Sequence, residues 1–314
     1  MIDFIILFIS MAVLMFSSDR AVNYVMKLSK VLGISEMSAG FIILSLSTSL
    51  PELLVSINSG LIGEGALAIG NVLGSNVANV TIILGLAVII SRKRKLMFKR
   101  RVFDNLTQFL FVSSLIPLFI LQTGKLSLIL GSILIALFVF FTVKTPTKVK
   151  NVEDITVMYK KDKVIVSVKF VIAIIMVIIS SNYVVTSGVN IARLFSIPAS
   201  VIGATFIALG TSLPELSTTV QAFRKKLFDV GLGNVIGSCI TNLTLVLGIT
   251  AFINNVSLNI ISFTSLTLFA IMSSMVTWYF ISTGRRLDKR EAFILIGLYA
   301  VFILQELGFS IFIF

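Results

Sequence analysis

The sequence predicts an all-α membrane protein: ten transmembrane helices in two inverted five-helix repeats, with helices broken at mid-membrane. Four observations lead there. Hydrophobic residues make up 57% of the 314 positions and charged residues 13%, about half the ~25% charged share of a soluble domain. Apolar runs long enough to cross a hydrocarbon core, about 20 residues for ~30 Å, recur from end to end. Residues 40–85 also align without a gap on residues 203–248 at an offset of 163, with 17 of 46 positions identical. Finally, basic residues collect in alternate loops.

Taken in order, span 1 (near 2–27) opens at Ile2 without a basic leader or a small-residue cleavage site, so it reads as a retained helix rather than a signal peptide. Spans 2 (37–61) and 3 (66–90) carry the first repeat copy, and spans 4 (103–121) and 5 (126–144) complete the first half, 1–144. The polar stretch 145–162 (TPTKVKNVEDITVMYKKD) is too short for a domain and reads as a cytoplasmic linker. The second half, 163–314, has span 6 (164–191), the second repeat copy in spans 7 (199–223) and 8 (228–253), then spans 9 (260–282) and 10 (291–312). Five spans is an odd number, so the second half enters the membrane from the opposite side, as in many secondary transporters.

Loop charge agrees with this count. The loops after spans 1, 3, 5, 7 and 9 hold 23 of the 26 basic residues, leaving Arg20, Lys125 and Arg193. The positive-inside rule puts those loops in the cytoplasm and both termini outside the plasma membrane. The net charge of +12 is then an orientation signal, and no nucleic-acid partner is expected. The run RKRKLMFKRR at 92–101 reads first as orientation and headgroup contact, with a regulatory or anionic-lipid site as the sharper alternative. The single cysteine, Cys239, cannot form an internal disulfide, and without histidine any proton chemistry near neutral pH falls to carboxylates or water. No enzyme activity, cofactor or protein partner is expected; the partners are the lipid bilayer and ions.

The repeat copies share polar residues while their apolar positions drift, which points to one ion site built from two halves. Glu52 lies about fifteen residues, roughly 20 Å, into span 2, and Glu215 is its repeat mate. A mid-membrane carboxylate costs about 2.5–3.5 kcal/mol, and no Lys or Arg lies at that depth in these spans. A bound cation or a proton is the simplest missing partner; two protonated glutamates acting as helix glue is the structural alternative. Pro51 and Pro214 precede the glutamates and free the carbonyls of Ser47 and Gly210, and such broken helices form ion sites in transporters. Thr48 shares a helix face with Glu52 and Thr211 with Glu215, with Ser49 and Ser212 beside them. Asn71, Ser75 and Asn79 form a polar stripe in span 3, repeated as Asn234, Ser238 and Asn242 in span 8. The GxxxG pairs Gly70/Gly74 and Gly233/Gly237 permit a close approach between each stripe and a glutamate-bearing helix. All these candidate ligands are hard oxygens, which suit Ca²⁺ and also Na⁺. Two ion types cannot occupy one carboxylate pair together, which suggests antiport.

STSLPE (47–52) with GNVLGSNVAN (70–79), and GTSLPE (210–215) with GNVIGSCITN (233–242), resemble the alpha repeats of the cation/calcium antiporter superfamily, in particular prokaryotic sodium/calcium exchangers. The resemblance implies that Glu52 and Glu215 bind Ca²⁺ and Na⁺ alternately and that Thr48 and Thr211 give backbone oxygens to Ca²⁺. It implies flanking Na⁺ sites from Ser49, Ser75, Ser212 and Ser238 with carbonyls near Ser45 and Ala208, and Asn79 and Asn242 at the centre. It also implies that spans 1 and 6 slide past the other eight helices. Many relatives carry aspartate at one central position where this chain has two asparagines, and Ser47 replaces the usual glycine; the first departure leaves stoichiometry and K⁺ dependence open. The expected function is exchange of Na⁺ for Ca²⁺, normally Ca²⁺ extrusion. A Ca²⁺/H⁺ antiporter, a cation channel with a glutamate-lined pore and a non-transporting scaffold are the rivals.

Overall fold

The computed structural model describes residues 2–32, 34–61, 65–91, 95–97, 100–145, 160–194, 208–253, 256–257, 260–283 and 286–306. Helix α1 (Ile2–Leu32) is followed by α2 (Glu36–Thr48), α3 (Leu50–Leu61) and α4 (65–90). Strand β1 (Lys95–Met97) leads into α5 (Arg100–Ser114), α6 (Ile116–Thr123), β2 (Lys125–Leu126) and α7 (Leu128–Lys144). The second half runs α8 (Lys160–Leu194), α9 (Ala208–Thr211), α10 (Leu213–Arg224) and α11 (Phe228–Ile253). It ends with β3 (Val256–Ser257), α12 (Ile260–Ser282), β4 (Arg286–Asp288) and α13 (Lys289–Glu306). Residues 146–159 of the expected linker, 199–207 of span 7 and 307–312 of span 10 lie outside the described residues.

Among the described residues six helical stretches, one of them α5 and α6 together, are long and apolar enough to cross a membrane, seven if the bent pair α2–α3 counts as one. Large apolar side chains such as Phe8, Ile129, Val143 and Phe293 stand exposed on the outside, as lipid contact requires. Helix ends follow local chemistry. Ser35 and Ser127 cap α2 and α7 by accepting the N–H of Ser38 and Leu130. Before α13, Asp288 accepts the N–H groups of Arg290 and Glu291 while Glu291 accepts that of Asp288, a complete capping box.

Helices α4 and α11 fill the centre. Every residue of α11 from Phe228 to Thr241 is buried. Both helices widen into a π-helical turn at the same repeat position, Asn79–Ile83 and Asn242–Val246, and α2 has another at Ala39–Leu44; such turns concentrate at functional sites. At one side, α1 and α8 pack along each other in opposite directions. Asn190 donates to Asp3 at one end, and residues 21–28 meet 166–174 at the other.

An all-α chain was expected, yet two short antiparallel ribbons tie the halves together: β1 with β4 and β2 with β3. They are repeat mates, since 95 + 163 = 258 falls just after β3 and 125 + 163 = 288 falls in β4. Segments of two or three residues carry too little periodicity to read as strands, and only the fold brings their partners alongside.

Candidate functional site

Pro51 and Pro214 sit at the second position of α3 and α10. A proline is tolerated there because the N–H it lacks has no partner inside the helix. The preceding helix must therefore stop, and it stops the same way twice. Ser49 has φ −82° and ψ 9°, and Ser212 φ −89° and ψ 6°. Across the first break α2 and α3 meet at 40°, joined by hydrogen bonds from Ser49 N–H to the Ser45 carbonyl (2.9 Å) and Leu53 N–H to the Ser49 carbonyl (3.1 Å). Glu52 and Glu215 then stand third in their half-helices, in the first turn, where the helix dipole favours a negative charge.

Both glutamates are completely buried, and no ion pair reaches either among the described residues. Each is served by the opposite half: Ser49 Oγ donates to Glu215 Oε1 (3.0 Å) and Ser212 Oγ to Glu52 Oε1 (3.2 Å). The threonines cross in the same way, Thr48 to Asn234 Oδ1 (3.3 Å) and Thr211 to Asn71 Oδ1 (3.1 Å). Ser238 adds a second donor to Glu215 Oε1 (3.3 Å), whereas its mate Ser75 lies 3.4 Å from Thr211 Oγ1.

One oxygen of each carboxylate, Oε2, and the amide groups of Asn79 and Asn242 are buried without a hydrogen-bond partner among the described residues. A buried polar atom left unpaired costs about 1–3 kcal/mol, more when charged. Four side chains at two pairs of repeat positions thus present oxygens that a cation would satisfy. No cluster of three or more His, Cys, Asp or Glu occurs among the described residues.

A family model described as sodium/calcium exchanger protein matches residues 2–145 and 166–307. The chain belongs to the sodium/calcium exchanger family. It is 29% identical to the sodium/calcium exchanger MaX1 of Methanosarcina acetivorans, covering 96% of this chain and 97% of that protein. The inner membrane protein YrbG of Escherichia coli is 31% identical over 79% of each chain. Among solved structures, the sodium-calcium exchanger NCX_Mj soaked with Na⁺ and Ca²⁺ superposes with a TM-score of 0.79 at 25% identity, covering 96% and 97% of the two chains. The protein is thus a multi-pass membrane protein of a cation-antiporter family.

Within this exchanger, Glu52, Glu215, Ser49, Ser212, Ser75, Ser238, Thr48 and Thr211 share a buried polar cluster of four hydrogen-bonded groups: Ser49 and Ser238 on Glu215, Ser212 on Glu52, Thr48 with Asn234, and Thr211 with Asn71 and Ser75. Asn79 and Asn242 stand fully buried outside it. Ser45 is buried, its hydroxyl turned back to the Phe41 carbonyl, and its own carbonyl takes the Ser49 N–H and the Thr48 hydroxyl (3.3 Å). Ala208 opens α9. The GxxxG expectation is met in the second copy: a methyl on Gly233 would strike the Met37 carbonyl and one on Gly237 the Phe41 carbonyl, so α11 lies directly on α2.

Several participants were not singled out. Asn234 also donates to Thr218 (3.2 Å) and Thr219 (3.0 Å). Ser56, one turn beyond Glu52, is buried with its hydroxyl unpaired. Asn76 donates to the carbonyl of its own repeat mate, Cys239 (3.3 Å), so the two halves meet at these positions. The i+3 and i+4 spacing from Glu215 or Glu52 was the available signal for Thr218, Thr219 and Ser56; nothing in the sequence marked Asn76.

Proposed function

We propose that this exchanger-family protein exchanges Na⁺ for Ca²⁺ by alternating access, with Ca²⁺ extrusion as the normal direction, and that its helices form ten spans in two inverted halves. The carrying observation is the buried pair Glu52 and Glu215, mirrored in hydrogen bonding and each with an unpaired oxygen. Two ionised carboxylates balance one Ca²⁺. The hydroxyls of Ser49, Ser75, Ser212 and Ser238, the backbone oxygens of Thr48 and Thr211 and the carbonyls near Ser45 and Ala208 supply further hard oxygens for dehydrated Na⁺, around Asn79 and Asn242. The antiparallel run of the repeat mates α1 and α8 supports inversion. The alternate-loop charge supports both termini outside a plasma membrane, with 1–144 and 163–314 as the halves and 145–162 between them.

Flux of ⁴⁵Ca²⁺ in proteoliposomes tests the coupling: an imposed Na⁺ gradient drives Ca²⁺ movement with no pH gradient present. Flux that follows only the pH gradient makes the protein a Ca²⁺/H⁺ antiporter, and flux that needs neither gradient's energy makes it a channel.

A further inference from the structure

We propose that Lys225 is a positioning residue for transport: it ties the Glu215-bearing helix α10 to α1 through a contact that the repeat-mate positions cannot form, and biases the protein toward the conformation in which the tie is made. The inference rests on the alternating-access reading above. The Lys225 ammonium lies 2.8 Å from Asp19 Oδ1 and donates to Asn23 Oδ1 (2.6 Å) and the Asp19 carbonyl (3.1 Å). An ammonium has three N–H donors, and α1 supplies an acceptor for each. Asn23 in turn donates to Asp19 Oδ2 (3.3 Å), and one turn back along α10 Gln221 reaches the Met15 carbonyl (3.5 Å).

The backbone holds Lys225 in place. Helix α10 ends with Leu227 N–H on the Ala222 carbonyl (2.9 Å) and Lys226 N–H on the Phe223 carbonyl (3.0 Å), the pair of bonds that defines a Schellman turn. Lys226 takes the left-handed position, φ 65°, which glycine usually fills. Glu215 therefore sits at one end of a twelve-residue helix and the tie at the other, about 15 Å apart along a rigid rod. Displacing Glu215 relative to α1 requires the tie to open.

The tie has no repeat mate. Lys225 corresponds to Ile62 (225 − 163), Asp19 to Asn182 (19 + 163) and Asn23 to Thr186 (23 + 163). These residues carry no charge, so the same bond cannot form at the mate positions. Two inverted halves alone would favour the two end states equally, and a tie without a mate tips the balance. Its groups are 25% and 39% exposed, so solvent screens it and the bias is modest.

The test uses the full-length protein in proteoliposomes as wild type, Lys225→Gln, Asp19→Asn and the charge swap Asp19→Lys with Lys225→Asp. Spin labels at Leu32→Cys and Arg224→Cys, in a Cys239→Ser background, report the distance between α1 and α10, and Ca²⁺ flux is measured from each face. Both single variants lengthen or broaden the distance and change the ratio of the two face-specific KM values by about two- to fivefold, and the swap restores both. Unchanged distances and an unchanged ratio in Lys225→Gln and Asp19→Asn overturn the inference, as does a swap that restores neither. A wild type that moves no Ca²⁺ defeats the functional reading instead, and the distances still decide the tie.

Discussion

At the centre of the molecule hydrogen bonds come in mirrored pairs. Ser49 serves Glu215 as Ser212 serves Glu52, and Thr48 meets Asn234 as Thr211 meets Asn71. In backbone packing and in end contacts the halves part company. Gly233 is pressed against the Met37 carbonyl while among the described residues no atom stands within 4 Å of where a Cβ would sit on its mate Gly70, and Lys225 grips Asp19 where position 62 is isoleucine. A site reached in turn from two sides needs equivalent surroundings from both, whereas packing and end contacts are free to differ and to set a preference between states.

The strongest way to break the symmetry is at the carboxylates. Glu52→Gln and Glu215→Gln should each weaken Ca²⁺ binding by about 2–5 kcal/mol, at least ~30-fold, and reduce ⁴⁵Ca²⁺ flux to background with the protein still folded. Transport that survives either change would remove that glutamate from the site. Next comes the packing contrast. Gly233→Ala should cost about 1–3 kcal/mol through overpacking, read as a lower thermal midpoint in detergent, and Gly70→Ala should be neutral or slightly stabilising. Equal effects would contradict the asymmetry.

The crossed hydrogen bonds predict a smaller effect. In a double-mutant cycle on thermal unfolding, Ser49→Ala with Glu215→Gln should show coupling of about 1–2 kcal/mol. Ser49→Ala with Glu52→Gln should be additive. Stronger coupling to Glu52, which lies in the same half, would mean that the halves do not interlock. Smallest of all, Lys226→Gly should raise stability by up to ~1 kcal/mol by removing the left-handed strain, measurable as a rise in Tm of a few degrees or less.

Much of the site was legible in the chain because both glutamates stand out against an apolar background and each follows a proline in a repeated hexapeptide. The break itself was legible too, since proline removes a specific N–H. Each half looked self-contained, with Ser49 grouped beside Glu52. Helical spacing tells which residues share a face and says nothing about which helix that face meets.

The amino-acid sequence alone determined a membrane protein with an internal repeat, two intramembrane carboxylates and two helix breaks, because composition, periodicity and the missing proline N–H act locally. Tertiary structure decided that the serine of one half serves the glutamate of the other, that α11 lies against α2 at Gly233 and Gly237, that two ribbons stitch the halves, and that Lys225 holds Asp19. The physical reason is the same in each case. Hydrogen bonds and van der Waals contacts reach only a few ångströms, and residues 130 or more positions apart come that close only after the helices have packed.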